Sequence, residues 1–497
     1  MFHSRKPVIL LAPLAALLIA AAPVSAPSGD LAPRAERLGQ AAEMVDGGKP
    51  AEALLLLDGL LAESDLPADR GEVELLRSFA LARLGRIPDA RQSIETAYAS
   101  SFSPTPVLLR QLFLLRALTG DMAGSAAAVQ LMAASDPRWL NALPGELVLD
   151  VLGSLDEAPA FDLAFSLVAA KFAPDDVTLG DLDRVRMTLI HGLHKRGRLD
   201  EAGPAIAQLI NPVSLVRLGI DRRFQSLWPQ LEARLGPGAD TADEAFVAAT
   251  KARLDRQPQS LIARLGHAEA LNIASREEDA IAIADVAKDT AVLEKMANRE
   301  LWLVNLHAMM LADTGKVDEG LARITQLATL PDNGRPMLMV ARINRAVLAE
   351  GLDKPDLALE AVAAAEAASP QMADFGKLYL AAVKACALAQ KGDKAAAAAT
   401  AAPLLAKPDA NQNAALGAMH CLGQRDAAAA LLIRQIEDEK TRDETLFSLQ
   451  PFLIEDRPTA RDRRDRAALR ALKARPDVKA AFVRYGRDLP AAVAPPR

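Results

Sequence analysis

The chain has 497 residues, 51% of them apolar, 25% charged and 4% aromatic, with a mean hydropathy of +0.08 and a formal net charge of −6. That is too apolar for a disordered chain, and one long apolar run, at the N-terminus, excludes a polytopic membrane protein. Two cysteines exclude a disulfide framework and any Cys-x-x-Cys zinc or redox site.

Residues 1–26 read as a secretory signal. Arg5 and Lys6 form a short positive region, Val8 to Ala22 an apolar stretch shorter than a spanning helix, and Val24-Ser25-Ala26 a small-residue cleavage site. An uncleaved N-terminal anchor is the competing reading, because Pro27 is unfavourable just after the cut. Abundant alanine, and arginine used ahead of lysine, suggest a bacterial source, so the expected compartment is the periplasm with cleavage near Ala26. Without Arg5 and Lys6, 56 basic groups face 64 acidic ones, a net of −8. An acidic exported chain has no general means of neutralising phosphates, so nucleic acid is not an expected partner.

After a flexible segment at 27–34, a short element recurs: a glycine or small polar residue, usually a charged residue, and a small residue five positions after the first. It reads Gly48-Lys49-Pro50-Ala51-Glu52-Ala53, Gly85-Arg86-Ile87-Pro88-Asp89-Ala90 and Gly197-Arg198-Leu199-Asp200-Glu201-Ala202. It returns as Gly392-Asp393-Lys394-Ala395-Ala396-Ala397 and Gly423-Gln424-Arg425-Asp426-Ala427-Ala428, with weaker copies at Gly120, Pro159, Asp240, Ser275, Gly315 and Asp353. Successive starts are 31 to 43 residues apart. Prolines 67, 104, 137, 174, 212, 258, 331, 370 and 408 follow those turns at 15 to 19 residues, so two unrelated markers share one period.

The physics of the unit is clearest around Gly85. Val73, Leu76, Ala80 and Leu84 step by three and four, predicting an amphipathic helix that must bury a broad stripe. Gly85 supplies a positive φ to end that helix, and Pro88 presets φ for the first turn of the next. Ala90, Ile94, Ala97 and Tyr98 line the second helix, which Pro104 cannot continue. A single hairpin cannot bury both faces, so neighbours must stack.

The Gly-charged-x-x-x-Ala turn, followed by a proline ending the second helix, resembles the tetratricopeptide repeat family over about residues 35–455. The period exceeds that family's ~34 residues and its early tryptophan is mostly missing. The expected fold is all-α: a right-handed α-solenoid of about ten to twelve hairpins, in an N-terminal array at 35–235 and a C-terminal array at 236–456. The longest step spans Asp221-Arg222-Arg223-Phe224 and Trp228, where an irregular repeat or hinge is expected. Residues 457–487 carry eleven basic and three acidic groups. They read as basic capping helices; the other readings are a weak contact with anionic lipid or with a second copy. Residues 488–497 read as a disordered tail.

No nucleophile elbow, Ser-x-x-Lys, phosphate loop or dinucleotide fingerprint is present. His191 and His194 share a helix face but lack a third ligand, so no metal and no cofactor is expected. Asp175 with Asp176, and Asp181 with Asp183, read as solvated helix ends. Cys386 and Cys421 fall at matching places in adjacent hairpins, but helix axes 8–10 Å apart favour two buried free thiols over a bridge.

The remaining candidates lie on the first (A) helices. Asn305, Asn344 and Asn413 stand at similar heights before their turns. The resemblance implies that A helices line a groove in which asparagines hold a peptide backbone, with Arg345 and Lys384 adding charge for a carboxylate. The expected function is a non-catalytic periplasmic scaffold or adaptor binding a segment of another envelope protein. The alternatives are a helical-toroid glycan-active enzyme, disfavoured by few aromatic platforms, and an assembly factor for polysaccharide or protein export.

Overall fold

The computed structural model describes residues 32–63, 67–332, 334–368, 372–453 and 460–495. The leader at 1–26, residues 27–31, Pro370 and the last two residues lie outside them. Among the described residues there is no strand, and no helix is long and apolar enough to cross a membrane.

The chain divides into two compact units. One holds the residues up to Val177 with Arg184–Ile206; the other holds Thr178–Asp183 with Ala207 onward. The boundary expected at 235/236 therefore falls inside the second unit. The first unit contains α1 (Ala32–Asp46), α2 (Pro50–Ala62), α3 (Pro67–Arg83), α4 (Ile87–Ala99) and α5 (Pro106–Leu118). It continues with α6 (Met122–Ser135), α7 (Gly145–Ser154), α8 (Glu157–Ala169), α9 (Asp183–Lys195) and α10 (Gly203–Gln208), α9 contributing Asp183 and α10 its last two residues, Ala207 and Gln208, to the other unit.

The second unit runs through α11 (Pro212–Ile220), α12 (Trp228–Leu235), α13 (Asp240–Arg256), α14 (Leu261–Ile273), α15 (Glu277–Ala284) and the single turn α16 (Thr290–Leu293). Then come α17 (Leu301–Asp313), α18 (Val317–Ala328), α19 (Pro336–Gly351), α20 (Pro355–Ala368), α21 (Asp374–Gln390) and α22 (Lys394–Ala406). The unit ends with α23 (Gln412–Cys421), α24 (Arg425–Glu437), α25 (Arg442–Ser448), α26 (Ala460–Ala474) and α27 (Pro476–Tyr485). Each unit is a solenoid of stacked helical hairpins.

The turn register explains why. Gly85 has φ +73°, and the N–H groups of Gly85 and Arg86 donate back to Ala82 and Leu81, at 3.0 and 2.9 Å. This double bond pattern ends a helix through a left-handed residue. Among the weak copies Ser275 and Asp353 adopt φ +54° without being glycine, whereas Pro159 lies inside α8 and Asp240 is helical at φ −55°, so those two are not turns of this kind. The small residue five positions on marks the closest approach of the paired helices. A Cβ at Gly320 would sit 2.6 Å from the carbonyl oxygen of Ala308, on the neighbouring α17.

The period reappears as cross-repeat ion pairs. Lys195 meets Glu157 at 2.7 Å, Lys316 meets Glu278 at 2.8 Å and Lys354 meets Asp318 at 3.1 Å, each joining one A-helix end to the start of the preceding second (B) helix. Such exposed pairs contribute little singly. Buried apolar positions supply most of the cohesion, as in the cluster of Leu293, Leu301, Val304, Ile324, Leu327 and Leu338.

The second unit also closes on itself. The Arg487 N–H donates to the Ile220 carbonyl at 2.9 Å, beside an isolated antiparallel bridge between Asp221 and Gly486. The Arg487 guanidinium lies 3.5 Å from the Trp228 ring centroid, pairs with Glu232 at 2.5 Å and donates to the Gly219 carbonyl at 2.7 Å. The segment around 221–228 is thus the seam against which the C-terminus packs, rather than a hinge between arrays. Residues 488–495 are correspondingly no loose tail. Leu489 is buried, its N–H donating to Gln450 at 2.9 Å, and the Gly238 N–H donates to Ala492 at 2.9 Å.

The A-helix face of the second unit

The five sequence-selected residues separate into two groups. Asn305 on α17 is buried, and its Oδ1 accepts from Asn344 Nδ2 on α19 at 2.8 Å. This is a cross-repeat clamp that occupies Asn305 internally, so Asn305 is not a surface for a peptide. Arg345 turns toward its own hairpin partner and pairs with Glu360 of α20 at 3.0 Å, its side chain 14% exposed. Lys384 on α21 is half-buried and Asn413 on α23 is exposed.

Asn344, Lys384 and Asn413 lie in a larger feature that single-residue reasoning missed. The accessible strip of each A helix is apolar with isolated polar points. It comprises half-buried Leu306 and Met309 on α17, Val340, Asn344 and Val347 on α19, Ala381, Lys384 and Leu388 on α21, and Leu416 with exposed Asn413 on α23; Leu306, Val340 and Val347 also pack partly against the core. The spacing of three and four was legible in the sequence, but which stripe faces a neighbour and which faces solvent was not. Helix α26 packs against α19 and α23, and its Arg464 pairs with Asp353 at 2.8 Å. Arg475, just beyond it, pairs with Asp426 at 2.6 Å. The basic segment is therefore used within the chain, across turns that end A helices, where partial negative charge accumulates.

The acidic pairs do structural work. Asp176 accepts from the Gly145 N–H at the start of α7, at 2.8 Å, and buried Asp183 accepts from the Asn211 N–H at 2.9 Å. Asp181 accepts from both the N–H and the hydroxyl of Thr178 at 2.8 Å and pairs with Arg299. Beside it, Glu269 on α14 is pushed up to about 7 by burial and by the Asp181 charge, against the opposing effects of Arg299 and Thr178. The loop 178–181 reaches this helix because position 266 is glycine; a Cβ there would be 3.3 Å from Thr178.

The cysteines are not free. Cys386 of α21 and Cys421 of α23 are joined by a disulfide, their Cα atoms 5.3 Å apart. The axis separation misled because Cα atoms stand about 2.3 Å off each axis, so facing Cα atoms come much closer than the axes do. Alanines at 382, 385, 414 and 418 line the two helices and are buried, which favours close approach. Near the bond lies Glu350 of α19, 1% exposed, its carboxylate accepting from Gln390 at 2.6 Å.

No protein-family model matches the chain, and no curated protein matches it. Among solved structures it is similar to a chain of Naa15/Naa10 bound to HypK-THB, 13% identical over 90% of this chain and 79% of that one, with a TM-score of 0.28. It is similar in the same way to a chain of the APC/C hetero-tetramer Cut9-Hcn1, 13% identical over 90% of this chain and 89% of that one, with a TM-score of 0.28. The fold itself defines the class: an all-α helical-repeat protein. Its turn register resembles that of tetratricopeptide repeats, on a longer period.

Proposed function

We propose that the protein is a non-catalytic scaffold of the bacterial periplasm that holds a segment of another envelope protein on the A-helix face of its second unit. The observation that carries this is the strip running over α17, α19, α21 and α23: apolar enough to bind, punctuated by Asn344, Lys384 and Asn413, which supply donors and an acceptor for a backbone. Export rests on the sequence of the leader alone. The test is an affinity pull-down from the native envelope after mild crosslinking, with wild type and K384A/N413A. Both side chains are accessible, so the variant keeps its thermal midpoint and loses the dominant partner. A partner retained by the variant at wild-type yield sinks the assignment.

One observation favours the glycan-active reading: Glu269, its carboxyl pushed up to about 7 chiefly by burial, stands beside the arginine-paired Asp181. Release of sugar fragments from envelope material by wild type but not by E269Q would move the function to that site.

A further inference from the structure

Three side chains from three successive A helices converge at one place: Glu350 from α19, Cys386 from α21 and Cys421 from α23. One carboxylate oxygen and the two sulfurs all lie within 4.8 Å of one another, Glu350 and Cys386 are buried, and Cys421 is half-buried. We propose that this is a redox-gated metal site, closed while the disulfide is formed and open to a divalent cation of the zinc class once it is reduced.

The chemistry of the donors argues for this class. A dithiol reductant passes two electrons to the Cys386–Cys421 bond and becomes a disulfide itself, while its two protons end on the released thiols. Binding a divalent ion then displaces those two protons, because the thiolate is the ligand. Two thiolates alone neutralise a dication, and the carboxylate as third ligand leaves the site with a net charge of −1, which a water-poor place tolerates far better than the three unpaired anions. Soft thiolates select zinc or cadmium over calcium and magnesium, which require oxygen ligands.

The geometry fits without moving a helix. Zinc takes sulfur at ~2.3 Å and carboxylate oxygen at ~2.0–2.2 Å, so tetrahedral ligand atoms stand roughly 3.5 Å apart. Rotation of the two cysteine side chains separates the sulfurs by that amount, on Cα atoms already held 5.3 Å apart. Gln390, one turn beyond Cys386 on α21, donates to the Glu350 carboxylate at 2.6 Å and orients it. The fourth position is left for water or a ligand from a partner. An oxidising compartment keeps such a site shut; reduction opens it.

The test uses the full chain and Zn2+ alone. The protein is reduced with a dithiol, freed of reductant without oxygen, and titrated against a competing chromophoric chelator, with helicity followed by circular dichroism. The expected result is one Zn2+ per reduced chain, none for the oxidised chain or C386S/C421S, and affinity lowered about tenfold or more in E350Q. Reduced wild type that takes up no more Zn2+ than C386S/C421S overturns the proposal, as does E350Q binding with wild-type affinity. Should reduction unfold the region, recovery of helicity on adding Zn2+ supports the site and failure to recover refutes it.

Discussion

Glu269 shows how much the surroundings of one residue decide. Its pKa, near 4.5 when exposed, rises to about 7 in the fold, chiefly through burial and secondarily through Asp181. A carboxyl whose folded pKa exceeds its unfolded value is stabilising in full below the unfolded value, and that stability is lost as pH climbs through the folded one. The second unit should therefore weaken between about pH 4.5 and 7, by up to about 3 kcal/mol. Urea unfolding at pH 5 and pH 8 measures this, and E269Q should flatten the difference. The sequence displayed Glu269 as one carboxylate among 64 acidic groups, because nothing local marks a loop from residues 178–181 as its neighbour. The same reason hid the Asn305–Asn344 clamp: matching height in two repeats was readable, whereas mutual hydrogen bonding was not.

At the scale of the element, the turn carried nearly all the legible information. Glycine, proline and a small residue at fixed offsets specify where a helix stops, how the next begins and where the two touch. Those are local demands, so they are written locally. Gly320 provides the sharpest case, since an added methyl meets the Ala308 carbonyl at 2.6 Å and the Ala312 nitrogen at 2.9 Å. Gly320→Ala should cost about 1–3 kcal/mol by overpacking, against the gain in helix propensity that alanine brings elsewhere. Thermal unfolding decides it: an unchanged or higher midpoint would show that α17 and α18 are less closely packed than described. The disulfide is not legible from helix-axis spacing, because the Cα surfaces of α21 and α23, 5.3 Å apart at the bond, make the contact.

The whole molecule contains what no period encodes. In the second unit, Arg487 meets Gly219 and Glu232 across 268 and 255 residues of sequence, and only the fold brings them together. A stacked guanidinium with an ion pair and a carbonyl acceptor is a strong anchor. R487A should lower stability by about 2–3 kcal/mol and strip hydrogen-exchange protection from residues 211–238. Protection retained there would mean that closure does not depend on this contact. Closure also confines the A-helix strips within a unit whose two ends are tied, which favours a partner segment that docks across several hairpins.

The most direct measurement of the binding claim is site-specific photo-crosslinking in the native envelope. A photoreactive residue is placed at Asn413, on the A-helix strip, or at Ala364, exposed on the B helix α20. One protein adduct is expected from position 413 and none from 364. Equal adducts from both positions, or none from 413 in cells where the protein is abundant, would contradict it.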